Sequence, residues 1–229
     1  MARRLSPAAR TWFARRMTEI GMFPLGSVLF PHMPLQLRVF EERYLIMMGQ
    51  ILETESPEFG VVLIERGQEV GGGEQRFAVG TVAQVTEISG EEGFVGVVAE
   101  GERRIEVLDW LPEEPFPRAV VRELDDLEFD ESLRVKRERA ETLVRRSLAL
   151  ASEFTDQQWA AGVELSDDDV ASCWQLAAIT PVGPLDQVAM LRATSMDQLL
   201  DLVIEFSTAA AEAFTQPWSD GDELPPIAE

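Results

Sequence analysis

Near residue 125 the apolar spacing of the chain changes from every second residue to every third or fourth, and that switch restricts the folds open to it. Before the switch, Leu35, Leu37 and Val39 alternate with Gln36 and Arg38, the pattern of a half-buried strand. Phe77, Val79, Thr81, Ala83 and Val85 mark one face of a longer strand, and residues 59–64 are a short apolar run. Residues 94–99, 104–111 and 118–124 supply three more strands, separated by turns that carry glycine or proline. The prolines of Pro31-His32-Met33-Pro34 bar a helix, so residues 27–30 and 35–40 read as strands on either side of a turn. One helix interrupts the series, predicted over 41–54 from Tyr44, Leu45, Met48, Ile51 and Leu52. Short strands with one inserted helix predict a small closed or half-open barrel.

The switch itself is acidic: six of the nine residues 123–131 are Asp or Glu. Beyond it Leu133, Ala140, Val144, Ser147, Ala151 and Phe154 fall on one helical stripe, and Glu141 and Arg145 form a favourably oriented pair one turn apart. Ser166 is the expected N-cap of a second helix, with Asp167, Asp168 and Asp169 in its first turn, where carboxylates suit the helix dipole. Pro184 opens a third helix. Ser195 and Gln198 make a capping box for a last one through Leu199, Leu202, Val203, Phe206, Ala210 and Phe214. The fold class is therefore α+β, a β-barrel over residues 22–125 followed by a C-terminal α-helical bundle over 126–215. Residues 1–21, with five arginines against Glu19, are expected to be a disordered basic extension without the apolar run of a secretory signal. Residues 67–74, with Gly71-Gly72-Gly73, are expected to be a mobile loop, and 216–229 a flexible acidic tail.

Charge and residue inventory exclude much chemistry. The formal charge is −21, and Lys136 is the only lysine. Such a surface repels phosphate backbones and anionic lipid over about 10 Å at 0.1 M salt, which argues against DNA and membrane partners. The lone lysine has no glycine near it, so no phosphate-cradling loop exists, and a serine–lysine dyad would have to use Ser132 or Ser147 on a charged helix. His32 is the single histidine and lies between two prolines, a poor place for a triad base and too few for a zinc site built on two histidines. Cys173 is the single cysteine, within an apolar helical run, and is expected to be a buried inert thiol. Asp167, Asp168 and Asp169 are explained by helix capping without a metal. No catalytic residue, cofactor or metal site is expected, and no apolar stretch reaches the 18 or so residues of a membrane span.

Five runs in order then point to a family. They are Met22-Phe23-Pro24-Leu25-Gly26-Ser27-Val28-Leu29-Phe30-Pro31, Pro34-Leu35-Gln36-Leu37-Arg38-Val39-Phe40-Glu41-Glu42-Arg43-Tyr44, Phe59-Gly60-Val61-Val62-Leu63-Ile64, Val79-Gly80-Thr81-Val82-Ala83 and Glu100-Gly101-Glu102-Arg103-Arg104-Ile105. In order and spacing they resemble the Lon-protease N-terminal (substrate-binding) domain family, especially its small stand-alone members. The resemblance covers roughly residues 22–210, more loosely in the helical half.

The resemblance implies a PUA-like β-barrel followed by a helical bundle, and a cytoplasmic polypeptide-binding module without the ATPase and protease modules, acting as an adaptor or chaperone-like holder. The candidate polypeptide contacts are Phe30, Pro31, Met33, Pro34, Phe40, Arg43 and Tyr44, in a groove between barrel and bundle. For Phe40 and Tyr44, with Leu37, a place in the core is the competing expectation. Gly80 and Gly101 are expected to permit a turn or a close backbone approach, and Arg43, Arg103 and Arg104 to tie strands through carboxylates. Two other readings stand beside this one: an RNA-binding protein, since other PUA-like barrels bind RNA, which the −21 charge opposes, and a small-molecule hydrolase using carboxylates of the inter-domain cleft.

Overall fold

The computed structural model describes residues 17–66, 75–91 and 93–215. The expected basic extension up to residue 16, the triple-glycine loop 67–74 and the acidic tail 216–229 lie outside the described residues.

Six strands alternate with little else in the first half: β1 (Met17–Leu25), β2 (Pro34–Val39), β3 (Glu58–Arg66), β4 (Gln75–Glu91), β5 (Phe94–Trp110) and β6 (Arg118–Glu123), with helix α1 (Glu42–Ile51) between β2 and β3. They form one sheet in the order β2-β5-β4-β3-β1-β6, and β6 also pairs with β5. The pairings β1–β3–β4–β5–β6–β1 therefore close on themselves, and β2 hangs on the outer half of β5. Only β1 and β3 run parallel, and the segment carrying β2 and α1 is the crossover that such a pair needs. Ile20, Met22, Val62, Val82, Ile105, Ala119 and Val121, drawn from all five ring strands, pack together as the filling of the ring.

Three strand expectations need correction. Residues 17–21, placed in the extension, are the first half of β1, with Met17 opposite Arg122 and Gly21 opposite Arg118. Residues 27–30 are not a strand; Leu29 and Phe30 are buried in irregular chain, and the Leu29 carbonyl accepts from Thr81 Oγ1 at 2.6 Å instead of joining a ladder. The two strands expected over 94–111 are one continuous 17-residue strand that passes through Gly101.

After a short 3₁₀ turn (Glu131–Leu133) come α2 (Arg134–Ala151), α3 (Asp169–Ile179), α4 (Pro184–Leu191) and α5 (Met196–Thr215). The α2 stripe is inward as expected: Ala140, Val144, Ser147 and Ala151 are buried, whereas Phe154 lies past the helix end and is exposed. Glu141 holds Arg145 at 2.8 Å and Arg137 at 3.2 Å. The α3 cap is Asp168, whose carboxylate accepts from the Ala171 N–H at 2.8 Å; Ser166, expected there, accepts from the Asp168 N–H at 3.1 Å. Ser195 Oγ accepts from the Gln198 N–H at 3.2 Å at the head of α5.

One apolar core runs from β1 and α1 through β3 to α2, α3 and α5, joining Phe23, Tyr44 and Phe59 to Leu148, Trp174 and Leu199. The strand half and the helical half thus bury each other.

Candidate functional site

The seam between the halves is organised by the turn at residues 29–34. Proline at both 31 and 34 keeps it out of regular structure, and His32 sits at φ 60, in the left-handed region. Three hydrogen bonds anchor it: Thr81 Oγ1 to the Leu29 carbonyl, the His32 N–H to the Gly101 carbonyl at 2.7 Å, and the Gly101 N–H to the Met33 carbonyl at 2.9 Å. Phe30 then packs on Trp174 of α3, ring centroids 6.2 Å apart. Gly101 is required for that approach, because a Cβ there would lie 2.2 Å from the Phe30 carbonyl oxygen. Arg104 completes the support: it is 5% exposed, its guanidinium lies 5.0 Å from the Trp174 ring, and it donates to the carbonyls of Leu191, Ala193 and Asp125. Burial pulls its pKa below the ordinary arginine value, partly offset by Asp126 and Asp125. Arg103, the neighbour on the other face, ties Glu58 of β3 and Glu123 of β6 at 2.6 Å each.

The turn divides the seam into two clefts of opposite character. On one side a groove of about 470 Å³ is lined by Val28, Met33, Pro34, Leu35, Trp159 and Ala178 among others, and by no charged residue. It runs on past Met33, Pro34 and Trp159 into a smaller pocket of about 100 Å³, where Glu164 is the one charged neighbour. Beside this groove lies the outer edge of β2, which pairs only with β5 among the described residues. On the other side a cleft of about 880 Å³ is walled by Glu100, Glu102, Asp126, Glu128 and Asp168, with Arg103, Arg104, Pro31, His32 and Trp174.

The seven candidate contacts do not converge. Met33 and Pro34 line the uncharged groove, with Phe30, 1% exposed, as its floor, and Pro31 borders the acidic cleft. Tyr44 is 1% exposed and stacked on Phe23 at 4.0 Å, a core residue that a partner does not reach. Arg43 lies over the Tyr44 ring at 4.5 Å and pairs with Glu41 and Glu113. Phe40 is neither core nor groove: it is 57% exposed, and the core expectation for it fails. The β2 alternation explains this, since Leu35, Leu37 and Val39 face in and even positions face out. Trp159, Ala178 and Gln187 complete the groove and were not singled out by the sequence. Trp159 lies in a stretch without periodicity, so an aromatic in a polar loop was its only signal.

Lys136, Ser147, Asp168 and Asp169, considered above for chemistry, have structural partners. Lys136 Nζ is held by Asp197 and Asp201 of α5, at 2.5 and 2.7 Å, and Ser147 Oγ donates to the Val144 carbonyl at 2.9 Å. Asp168 caps α3, and Asp169 pairs with Arg134 at 3.2 Å. No cluster of three metal-ligating side chains occurs among the described residues, and no helix among them is long and apolar enough to cross a membrane.

Cys173 is fully buried, and burial pushes its pKa from the ordinary 9.0 to about 12, with Arg137 opposing and Asp169 and Asp168 adding. The folded thiol therefore keeps its proton at pH values where the unfolded one loses it, and that contribution to stability is lost as pH rises from about 9 towards 12. A thiol-reactive chromophore at pH 8 is expected to leave the native protein untouched and to label one site per chain on denaturation. Fast labelling of the native state would contradict the burial.

A strand ring and a helix set sharing one core, with grooves along the seam, define a mixed α/β domain whose surface features are clefts between its two parts. The chain matches the ATP-dependent protease La (LON) substrate-binding domain over residues 19–208, and it belongs to that family. Over 107 residues it is 29% identical to a Lon protease of Heliobacterium modesticaldum, an alignment that takes in 46% of this chain but 13% of that protein's length. Two solved structures share the fold. A Lon N-terminal domain protein from Xanthomonas campestris superposes with a TM-score of 0.56 at 23% identity, covering 81% of this chain and 97% of that one. The N-terminal domain of the Mycobacterium avium complex Lon protease gives 0.57 at 14% identity, covering 83% and 98%.

Proposed function

We propose that this chain binds polypeptide without carrying out chemistry on it, as an adaptor or chaperone-like holder. In this reading the ring of strands is a PUA-like β-barrel, the helices after it are an α-helical bundle, and the groove between them is the binding site. The observation that carries the reading is the uncharged groove at Met33, Pro34 and Trp159 on a protein of net charge −21. An uncharged depression walled by Met33, Pro34, Leu35 and Trp159 together with Ser27, Gln36, Gln158 and Gln187, on so acidic a surface, suits the apolar side chains and backbone of an unfolded segment. The edge of β2 that is unpaired among the described residues runs beside it, so an extended segment could add as a strand while its alternate side chains enter the groove. Family membership supports the same role, the matched family being that of substrate-binding domains.

The test is fluorescence anisotropy with a permanently unfolded, labelled polypeptide. Trp159→Ala is expected to weaken binding by about 2 kcal/mol, or roughly 30-fold, as loss of a central aromatic anchor does. Pro34→Asp is expected to weaken it similarly by placing a charge at the groove mouth. Because the groove is uncharged, the affinity of the wild-type chain should change little with salt. Unaltered affinity in both variants would remove the groove from consideration.

A further inference from the structure

The acidic cleft on the far side of the turn is not used by the proposed polypeptide site, and its charge asks for an occupant. Five carboxylates face it against two guanidinium groups. Those two are already engaged, Arg103 by Glu58, Glu123 and Glu102, and Arg104 by three backbone carbonyls. Glu100, Asp126 and Glu128 have no salt bridge among the described residues. The cleft is also partly apolar, with Leu127, Phe129 and Trp174 on its walls. A basic segment carrying aromatic side chains matches both features, because arginine pairs with carboxylates in a fixed fork and also stacks on aromatic faces.

The chain contains such a segment. Residues 1–16 hold Arg3, Arg4, Arg10, Arg15 and Arg16, no acid, and the neighbouring aromatics Trp12 and Phe13. With +5 on these residues and −21 overall, the other residues carry −26. The segment enters the fold beside the cleft. It joins β1 at Met17, which pairs with Arg122 of β6, and from Arg122 the chain runs on through Leu124, bonded to the Arg104 carbonyl at 2.9 Å, into the cleft wall at Asp126. Met17 is thus within about 20 Å of Asp126 along that path, while sixteen residues can reach roughly 50 Å. We propose that residues 1–16 are a tethered ligand of the acidic cleft, with arginines on Glu100, Asp126 and Glu128.

Intramolecular attachment at so short a tether gives an effective concentration on the order of millimolar, so a weak electrostatic contact suffices to keep the cleft occupied. Basic segments of other polypeptides would then compete for it, separately from the uncharged groove.

The scarcity of lysine makes the test direct. In the 229-residue chain, Arg10→Lys introduces one side-chain ammonium besides Lys136, distinguishable by peptide mass from the terminal α-amino group, and a carbodiimide joins an ammonium to a contacting carboxylate as an amide. Peptide mass spectrometry on an equal mixture of heavy- and light-nitrogen chains then reads which acid was joined and whether it was on the same chain. Amides between position 10 and Glu100, Asp126 or Glu128 of the same chain are expected. Their yield should fall at least tenfold from about 20 mM to about 500 mM salt, because screening shortens the reach of the attraction. The amide from Lys136 to Asp197 or Asp201 serves as internal standard. Amides to acids outside the cleft, amides between heavy and light chains, or none from position 10 would each overturn the proposal.

Discussion

Gly101→Ala is expected to destabilise the protein by about 3–5 kcal/mol, a fall of roughly 6–20 °C in Tm for a chain of this size. The added methyl would lie 2.2 Å from the Phe30 carbonyl oxygen and 3.2 Å from Leu29 Cγ. The nearer atom is backbone, so no rotamer change relieves the clash; β5 and the turn must separate. Separation breaks both hydrogen bonds between Gly101 and the turn, the one its carbonyl accepts from the His32 N–H and the one its N–H donates to the Met33 carbonyl, and pulls Phe30 off Trp174. Gly49→Ala is the control. Gly49 lies within α1, is exposed, and nothing comes within 4 Å of the position a Cβ would take. There the substitution should stabilise by about 0.5–1 kcal/mol through a less flexible unfolded chain. Urea and thermal melts of the two variants give the comparison, and a Gly101→Ala protein melting within about 2 °C of wild type would show that the contact is not tight.

Glycine at position 101 also shows where sequence reading succeeds and fails. Periodicity placed β2, β6 and the α2 stripe, because in each one face is more buried than the other, while β3 showed as a short apolar run because it is buried on both faces. It split β5 in two because a glycine among charged residues resembles a turn, whereas the backbone of another segment crosses the strand there. The start of β1 was hidden for a different reason: Met17, Thr18 and Glu19 are exposed, so the strand carries no inward alternation until Ile20. The candidate site was half legible. Met33 and Pro34 were visible as apolar residues of a rigid turn, but the opposite wall comes from Trp159, Ala178 and Gln187, more than 120 positions away. Nothing local in those stretches records that they meet the turn. The same limit applied to Arg104, which was expected to reach a carboxylate and instead binds three carbonyls from two distant stretches of the chain, 191–193 and Asp125.

That wiring sets the second large expectation. Arg104→Met, which keeps the length of the side chain and removes its donors, should cost about 3–5 kcal/mol. Three carbonyls lose their donor at once: Leu191 at the end of α4, Ala193 in the link to α5, and Asp125 in the acidic connection. The penalty comes mainly from those orphaned acceptors, since the native guanidinium bears its own desolvation, seen in its lowered pKa. Arg104→Lys should restore only part of the loss. It keeps the charge but replaces a planar fork with a shorter point donor that cannot span acceptors on two sides. Arg103→Ala is the contrast: Arg103 makes three ion pairs but is 30% exposed, so about 1 kcal/mol or less is expected. The ordering Met, then Lys, then the neighbouring Ala in thermal melts tests whether the strand ring and the helices are coupled through this one side chain. Equal Tm values for Arg104→Met and Arg103→Ala would mean that the shared apolar core alone holds the halves together, and that the polar tie beneath the turn adds nothing measurable.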